Sequence, residues 1–579
     1  MKLRDLAPLL RMARHLRTSQ LIWRLRRLTS KGIRTAKPPF DHARAALRAE
    51  PFPAIPVFHH LGKVGENSME ALERGEFFHL NHQVDLGSES PDWRLGPQSE
   101  HRLWTITLHY HEWAYELAEA AVRGKEPAER LYRHYLADWM DRSAATVPGA
   151  TALAWNPYTV ATRIGWWVRS YLALGPRRWQ EWSEFHDRFL QNLWQQAAYL
   201  EDHLEWDLRG NHLVRDALGL AWAGRFFQDS KADRWLEQAA ELISDQIPEQ
   251  VLPDGGHFER SPMYHLKVME DLLTAALLLR DDSTINEIRR AWRRMADYVV
   301  WVRHPDGEIP LLNDSSFKGA CDPETMLELG GQIGARPEMM SPRGGQHFAE
   351  TGLMVWHGDP WSFFFDVGPI GADCQPGHAH ADSLTIEVSF EGQRLIVDPG
   401  THGYDDDERR RYDRSTEAHN TISVAGKDSS EVWDIFRAGR RAVTDQVRAD
   451  FTNRGALCTA RHDGYRFISA DLRHERQVRA LNSGDLTISD RVTGSGRHDL
   501  RGGYLIAPGW SASAEDSGWM LRSGNRGVRV KVDLPDSVRK TEEHRRYHPE
   551  FGKELDVVRL GWAGSPRLPA KIQFEMVKA

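Results

Sequence analysis

Gly377-His378-Ala379-His380-Ala381-Asp382 runs directly into Ser383-Leu384-Thr385-Ile386-Glu387-Val388-Ser389-Phe390, and this stretch decides the class of the second half of the chain. Leu384, Ile386, Val388 and Phe390 alternate with polar residues, a period of two that predicts a strand. Glu391-Gly392-Gln393 turns the chain, and Arg394 to Val397 returns as the partner strand. His378 and His380 stand two apart, so in or beside a strand they project from one face. Asp398-Pro399-Gly400 and Glu417-Ala418-His419-Asn420-Thr421 follow. Two histidines, an aspartate and a third histidine in a strand-rich segment suit a divalent ion such as zinc, with at least one histidine left for other chemistry.

Leu486 to Val492 and Val528 to Leu534 repeat the period of two. The region 341–579 therefore reads as an antiparallel sandwich. Upstream the period changes. From about Glu100 to Arg303, apolar residues recur at helical spacing: Trp104, Leu108, His111 and Tyr115; Leu213, Ala217, Leu220 and Ala221; Met269, Leu272, Leu273 and Ala276. Pro148-Gly149, Gly175-Pro176 and Pro253-Asp254-Gly255-Gly256 separate the helices. Such a succession without a heptad predicts helical hairpins stacked in an arc or ring. The expected architecture is multidomain α+β, with a basic amphipathic segment over 1–50, a helical domain over 51–340 and the sandwich over 341–579.

A chain of 579 residues exceeds one ordinary core, and its 41% hydrophobic and 27% charged residues describe a soluble globular protein. A net charge of -7 excludes global attraction to nucleic acid, so an acidic substrate needs a local basic site. Tryptophan faces stack on sugars, but most of the 22 are expected in helical cores. Cys321, Cys374 and Cys458 are too scattered for a disulfide framework or a cysteine-rich zinc module. Met1 to Lys31 places Leu3, Leu6, Leu9, Leu10, Leu16, Leu21, Ile22, Leu25 and Leu28 at helical spacing, with arginines throughout. It has neither the apolar centre of an export signal nor a membrane span. This segment is expected to pack on its own protein, with a membrane surface or a partner as the alternative. The expected location is the cytoplasm, with the periplasm left open.

Three clusters mark the helical half. Arg209-Gly210-Asn211-His212-Leu213 opens a helix, and Asn211 also suits a helix cap. Asp254-Gly255-Gly256-His257-Phe258-Glu259-Arg260 leads to a second opening at Ser261-Pro262, followed by Tyr264. Trp155-Asn156-Pro157-Tyr158, with Arg163 beyond it, fits either a sugar subsite or a packed helix junction. Loops at one rim of a helical scaffold often form a binding cleft.

The runs DGGHFERSPMYH, RGNHL and GHAHADSLTIEV…LIVDPGTHGY…RSTEAHNT resemble the heparinase II/III-type polysaccharide lyases, which include heparan sulfate lyases and oligoalginate lyases. The resemblance covers most of the chain beyond the first hundred residues. It implies an incomplete (α/α) toroid followed by an antiparallel β-sandwich, with the active site in the cleft between them. It implies cleavage of uronic-acid-containing polysaccharides by β-elimination, with Tyr264 as the catalytic tyrosine. It also implies one zinc ion on His380, Asp398 and His419, bracing the sandwich beneath the cleft. A catalytic zinc with an open water position is the alternative.

The chemistry of β-elimination fits these residue types. The C5 proton of a uronate is poorly acidic while the neighbouring carboxylate is charged, so that carboxylate must be neutralised or hydrogen-bonded. Asn211, His212 and His378 are candidates. A base then takes the proton, and an acid protonates the leaving glycosidic oxygen. A tyrosine beside positive groups can do either, because such neighbours lower its pKa from about 10. His212 or a second tyrosine, Tyr404 or Tyr412, is the natural counterpart of Tyr264. Arg414 suits a bidentate grip on a substrate carboxylate, or a pair with Asp413 or Glu417. Glu259 suits a place beside the substrate, orienting a neighbour or pairing with Arg260. Asp254 and Glu259 as opposed carboxylates would instead serve a glycoside hydrolase on the same scaffold. A non-catalytic glycan-binding or exopolysaccharide-assembly protein is the remaining alternative.

Overall fold

The computed structural model describes residues 6–29, 46–59, 67–94, 101–482 and 484–579. Leu3, and the parts of the amphipathic segment at 1–5 and 30–45, lie outside these described residues. The rest of that segment forms two helices, α1 (Leu6–Ala13) and α2 (Thr18–Thr29), where the spacing alone suggested one. Among the described residues no helix is long and apolar enough to cross a membrane.

The helical half is an arc of hairpins. Glu112–Val122 pairs with Glu126–Arg142, Pro157–Glu181 with Ser183–Asp202, Gly210–Phe226 with Ser230–Gln250, and Pro262–Leu278 with Asp282–Trp301. The first helix of each hairpin packs on the first of the next, which makes an inner layer and an outer layer. Burial follows from this. The inner helix Pro262–Leu278 is buried almost all round, whereas the outer helix Asp282–Trp301 buries the stripe Ile288, Ala291, Trp292, Met295, Ala296 and Val299. Tryptophan supplies large pieces of the filling: Trp113, Trp139, Trp167, Trp179, Trp235 and Trp292 are fully buried here. The face Trp104 to Tyr115 is not one helix. His111 adopts φ 63, and the chain breaks into Arg102–Leu108 and Glu112–Val122. At Gly175 the backbone leaves helical geometry inside Pro157–Glu181.

Among the described residues the strand half contains three large antiparallel sheets and a two-stranded ribbon, Val432–Trp433 with Arg437–Ala438. Five strands in sequential order, from Gly344–Phe348 to Gln393–Ile396, form the sheet nearest the toroid. An eight-stranded sheet carries Asp485–Thr493, Ala570–Lys578 and Arg526–Asp533 side by side at its centre. A four-stranded sheet joins the first through a bridge between Ile396 and Ile506. One core fills the space between these sheets, with Phe363, Val388, Ile488, Leu521, Trp562 and Phe574 among its members. The strand Ile386–Phe390 is buried on both faces rather than alternately exposed. Its polar face meets the end of the toroid instead of water: Glu387 and Ser389 bond the two ring nitrogens of His304, at 3.1 and 2.7 Å. His378 and His380 lie in the irregular stretch ahead of this strand.

Candidate active site

The inner helices present their N-terminal ends to the sandwich. Asn156-Pro157, Gly210 and Ser261-Pro262 are the openings, and each carries a cleft residue within its first turn: Tyr158, Asn211 and His212, and Tyr264. Oriented N–H groups at such ends favour anionic ligands. Ser261 caps its helix by accepting the Tyr264 N–H at 3.1 Å, which fixes the tyrosine at the rim. Asn211 does not cap its helix; Arg209 holds that position, with φ 64. Glu259 accepts the Asn211 N–H at 3.0 Å and so takes over the capping role. The Asn211 side-chain oxygen is buried without a hydrogen-bond partner among the described residues.

From the sandwich, His378 lies flat on Tyr264, with ring centroids 3.7 Å apart and planes 22° apart. Tyr404 reaches the same point, its hydroxyl 3.0 Å from that of Tyr264. His212 stands beside Tyr158 on the toroid side, its Nδ1 2.9 Å from Glu205. These groups line a cavity of about 690 Å³ between the domains. Arg24, Arg102, Lys267, Arg437 and Arg441 also line it and supply the local basic character that an acidic ligand needs.

Asp314 organises the centre, and sequence reasoning missed it. Its carboxylate bonds His378 Nδ1 at 2.9 Å and His380 Nε2 at 2.8 Å, and forms a two-pronged buried pair with Arg410. Burial alone would raise its pKa; Arg410 and the two histidines hold it well below the ordinary carboxylate range. A proton on Nδ1 facing Asp314 leaves His378 Nε2 as the working nitrogen, 3.6 Å from Glu259 Oε2. The only signal available was the polar run Asn313-Asp314-Ser315-Ser316 ahead of the domain junction.

The titration pattern corrects one expectation. Burial, reinforced by Tyr404, pushes the Tyr264 phenol well above its ordinary pKa, so it rests as a proton donor and not as a phenolate. Burial also raises Tyr404. Burial opposes charging of His212, but the Glu205 carboxylate, aided by Glu259 and Asp207, outweighs it and raises the imidazole pKa. Burial raises Glu259, despite His378 nearby.

Several expected substrate contacts are structural. Arg163 is wholly buried and donates to the carbonyls of His109 and Ala154 and to Gln196, at 3.0, 2.7 and 2.8 Å. Trp155 packs beside it and donates to the Ser143 carbonyl at 2.6 Å. The pair forms a helix junction and no sugar subsite. Arg414 spends its guanidinium on the carbonyls of Ala379, Trp433, Asp434 and Arg437, so it reaches neither a substrate nor Asp413 or Glu417. Tyr412 donates to the Arg546 carbonyl at 3.3 Å, away from the cavity. Tyr404 is the tyrosine in place. Glu259 accepts the Asn211 N–H and lies 3.6 Å from His378 Nε2, and it does not line the cavity. Asp254 is tied to the Thr351 N–H and hydroxyl at 2.8 Å each, so the opposed carboxylate pair of a hydrolase is not assembled.

His380, Asp398 and His419 are buried together beneath this centre. His419 Nδ1 lies 2.9 Å from Asp398, and the rings of His380 and His419 are 5.2 Å apart. Each residue keeps one buried polar atom without a hydrogen-bond partner among the described residues: His380 Nδ1, Asp398 Oδ1 and His419 Nε2. Two imidazoles and a carboxylate with such orphaned atoms fit zinc in donor chemistry. As they stand, no three such side chains among the described residues are gathered around one point closely enough to hold an ion.

A toroid and a sandwich meeting at a Tyr–His pair define the class, and the comparisons agree. Residues 56–324 match the heparinase II/III N-terminus model and residues 340–574 the heparinase II/III-like C-terminal model. The chain belongs to the heparinase II/III family. It is 24% identical over 513 residues to a heparin-sulfate lyase of Bacteroides stercoris, covering 80% of this chain and 73% of that one. It is 22% identical over 463 residues to a heparin-sulfate lyase of Bacteroides thetaiotaomicron, covering 72% of this chain and 63% of that one. The crystal structure of heparinase III superposes with a TM-score of 0.72 at 18% identity, over 86% of this chain and 80% of that one, so the two share the fold.

Proposed function

We propose that this protein is a polysaccharide lyase that cleaves a uronic-acid-containing acidic glycan by β-elimination. The stacking of Tyr264 on His378 across the domain junction carries the reading. It sets a phenolic hydroxyl and an imidazole nitrogen side by side on one cavity wall. The heparin-sulfate lyase relatives support the uronate class, which includes glycosaminoglycans and bacterial exopolysaccharides.

The residues divide the work as follows. The Asn211 amide and the His212 imidazolium bind the uronate carboxylate and stabilise the charge that develops on it. His378, held by Asp314, takes the C5 proton through Nε2. Tyr264 gives its phenolic proton to the leaving glycosidic oxygen, and Tyr404 lies in position to replenish it. The C4–O bond breaks as the C4–C5 double bond forms, so no water is consumed. His380, Asp398 and His419 would hold one structural divalent ion, with zinc favoured by the donor set. When bound, that ion ties together three segments beneath the His378 loop.

The test is a panel of heparan sulfate, hyaluronan, alginate and bacterial uronate polymers followed for the ultraviolet absorbance of an unsaturated uronate. A rise with at least one polymer is expected. Tight binding without product from any of them would favour a glycan-binding role. New reducing ends without the chromophore would favour hydrolysis.

A further inference from the structure

The helices α1 and α2 lie ahead of both stretches matched to the family, which begin at residue 56. They do not extend the toroid. Leu9, Met12, Leu16 and Arg24 line the same cavity as Tyr264 and His378. The segment is fastened on both sides of the cleft. On the sandwich side, Arg11 Nε donates to Glu431 at 2.7 Å. On the toroid side, Arg17 pairs with Glu249 at 3.1 Å, and the Trp23 ring stacks on Trp206 at 6.2 Å. Gln20 joins the two sides: its fully buried amide donates to the Asp207 carbonyl at 3.2 Å and to the Cys374 carbonyl at 3.1 Å. Glu249 also holds Arg209, so the toroid anchor touches the residue that opens the Asn211–His212 helix.

Two of these fastenings, Arg11–Glu431 and Arg17–Glu249, are ion pairs at partly exposed positions, which are individually weak. The outward side of the segment leaves Leu10, Leu21, Ile22 and Leu25 exposed. The segment is thus laid over the cleft rather than built into a core. The space beneath it, about 690 Å³, falls in the range of about 300–1,000 Å³ typical of pockets for small ligands. An internal stretch of polymer needs a groove open at both ends.

We propose that α1 and α2 form a strap that closes the cleft into a pocket, so that the enzyme cuts short oligosaccharides and polymer ends in preference to internal bonds. Leu9, Met12 and Leu16 are its substrate-facing residues. This rests on the lyase reading above and adds the determinant of cleavage position.

The test uses the full-length chain carrying Arg11→Glu and Arg17→Glu together, with Arg11→Gln and Arg17→Gln as a milder pair should the first fold poorly. Two readouts are taken. Alkylation of Cys374, located by peptide mass, reports strap position without any substrate. It should rise about tenfold when the strap lifts, because thiol reactivity follows exposure. On a uronate polymer, viscosity loss is compared with formation of unsaturated ends. The wild type should build chromophore with little early loss of viscosity, and the variant should lose viscosity several-fold faster for the same chromophore. Early viscosity collapse with the wild type would overturn the proposal. So would a variant with Cys374 uncovered but an unchanged cleavage pattern, and so would unchanged Cys374 reactivity in both charge variants. Product from the variant with none from the wild type would replace chain-end selection with complete blockage. Absence of product from both proteins, with Cys374 uncovered in the variant, would instead sink the lyase reading and this proposal with it.

Discussion

The chemistry converges on a few side chains whose roles follow from what each one touches. Among the described residues the Tyr264 hydroxyl is bonded only to another hydroxyl, so Tyr264→Phe should leave the fold intact and lower kcat by about 10²–10⁴-fold, the usual worth of a general acid. Circular dichroism beside the absorbance assay checks both halves. Asp314→Asn should behave differently. It strips the charge partner from buried Arg410, a loss of about 3–5 kcal/mol for a broken buried pair, so a large fall in Tm should accompany the loss of activity. His212 gives the pH dependence. Its pKa is raised in the folded state, so the imidazolium and the stability it brings are fully present below the unfolded value of about 6.5 and are lost as pH rises through the folded value. Carboxylate binding should fall over the same window, giving an alkaline limb in kcat/KM that His212→Asn removes. Tyr264 was legible because its motif lies in one continuous run. Asp314 was not, because its partners His378, His380 and Arg410 come from 64, 66 and 96 residues away. Arg163 shows the converse failure: an arginine among aromatic residues suits a sugar or an interior equally, and only burial separates them.

At the scale of elements, the openings of the inner helices govern the site. Gly210 has φ +58, and a Cβ there would stand 2.2 Å from Glu259 Oε1, the atom that caps Asn211. Gly210→Ala should therefore cost about 1–3 kcal/mol in backbone strain and also displace Glu259 and Asn211. A drop in kcat/KM larger than that in Glu259→Gln would be the sign, measured alongside thermal unfolding. Apolar residues at helical spacing, such as Met269, Leu272, Leu273 and Ala276, revealed these helices. That spacing did not show the break at His111, where a single backbone conformation interrupts an apolar pattern that continues across it, nor the turn between α1 and α2. The strand Ile386–Phe390 was legible by its period, but the burial of its polar face was not, because the buried His304 that satisfies Glu387 and Ser389 lies 83 and 85 residues upstream of them.

For the molecule as a whole, the order of toroid and sandwich was legible from the switch in period. The way the two halves meet was not, because contacts between distant segments leave no local pattern. The proposed ion belongs to this scale, since His380, Asp398 and His419 come from separate segments of the sandwich. Exhaustive chelation should lower Tm by several degrees and release about one zinc per chain, with residual turnover at low temperature if the ion only braces the fold. Unchanged Tm with no released metal would remove the ion from the account. The central claim is that a Tyr–His pair spanning the two domains breaks a glycosidic bond by elimination. Its most direct test is the mass of the fragments formed in water labelled with heavy oxygen. Elimination predicts fragments with an unsaturated end and no label, absent with Tyr264→Phe. One labelled oxygen per cut, or full product yield from Tyr264→Phe, would contradict it.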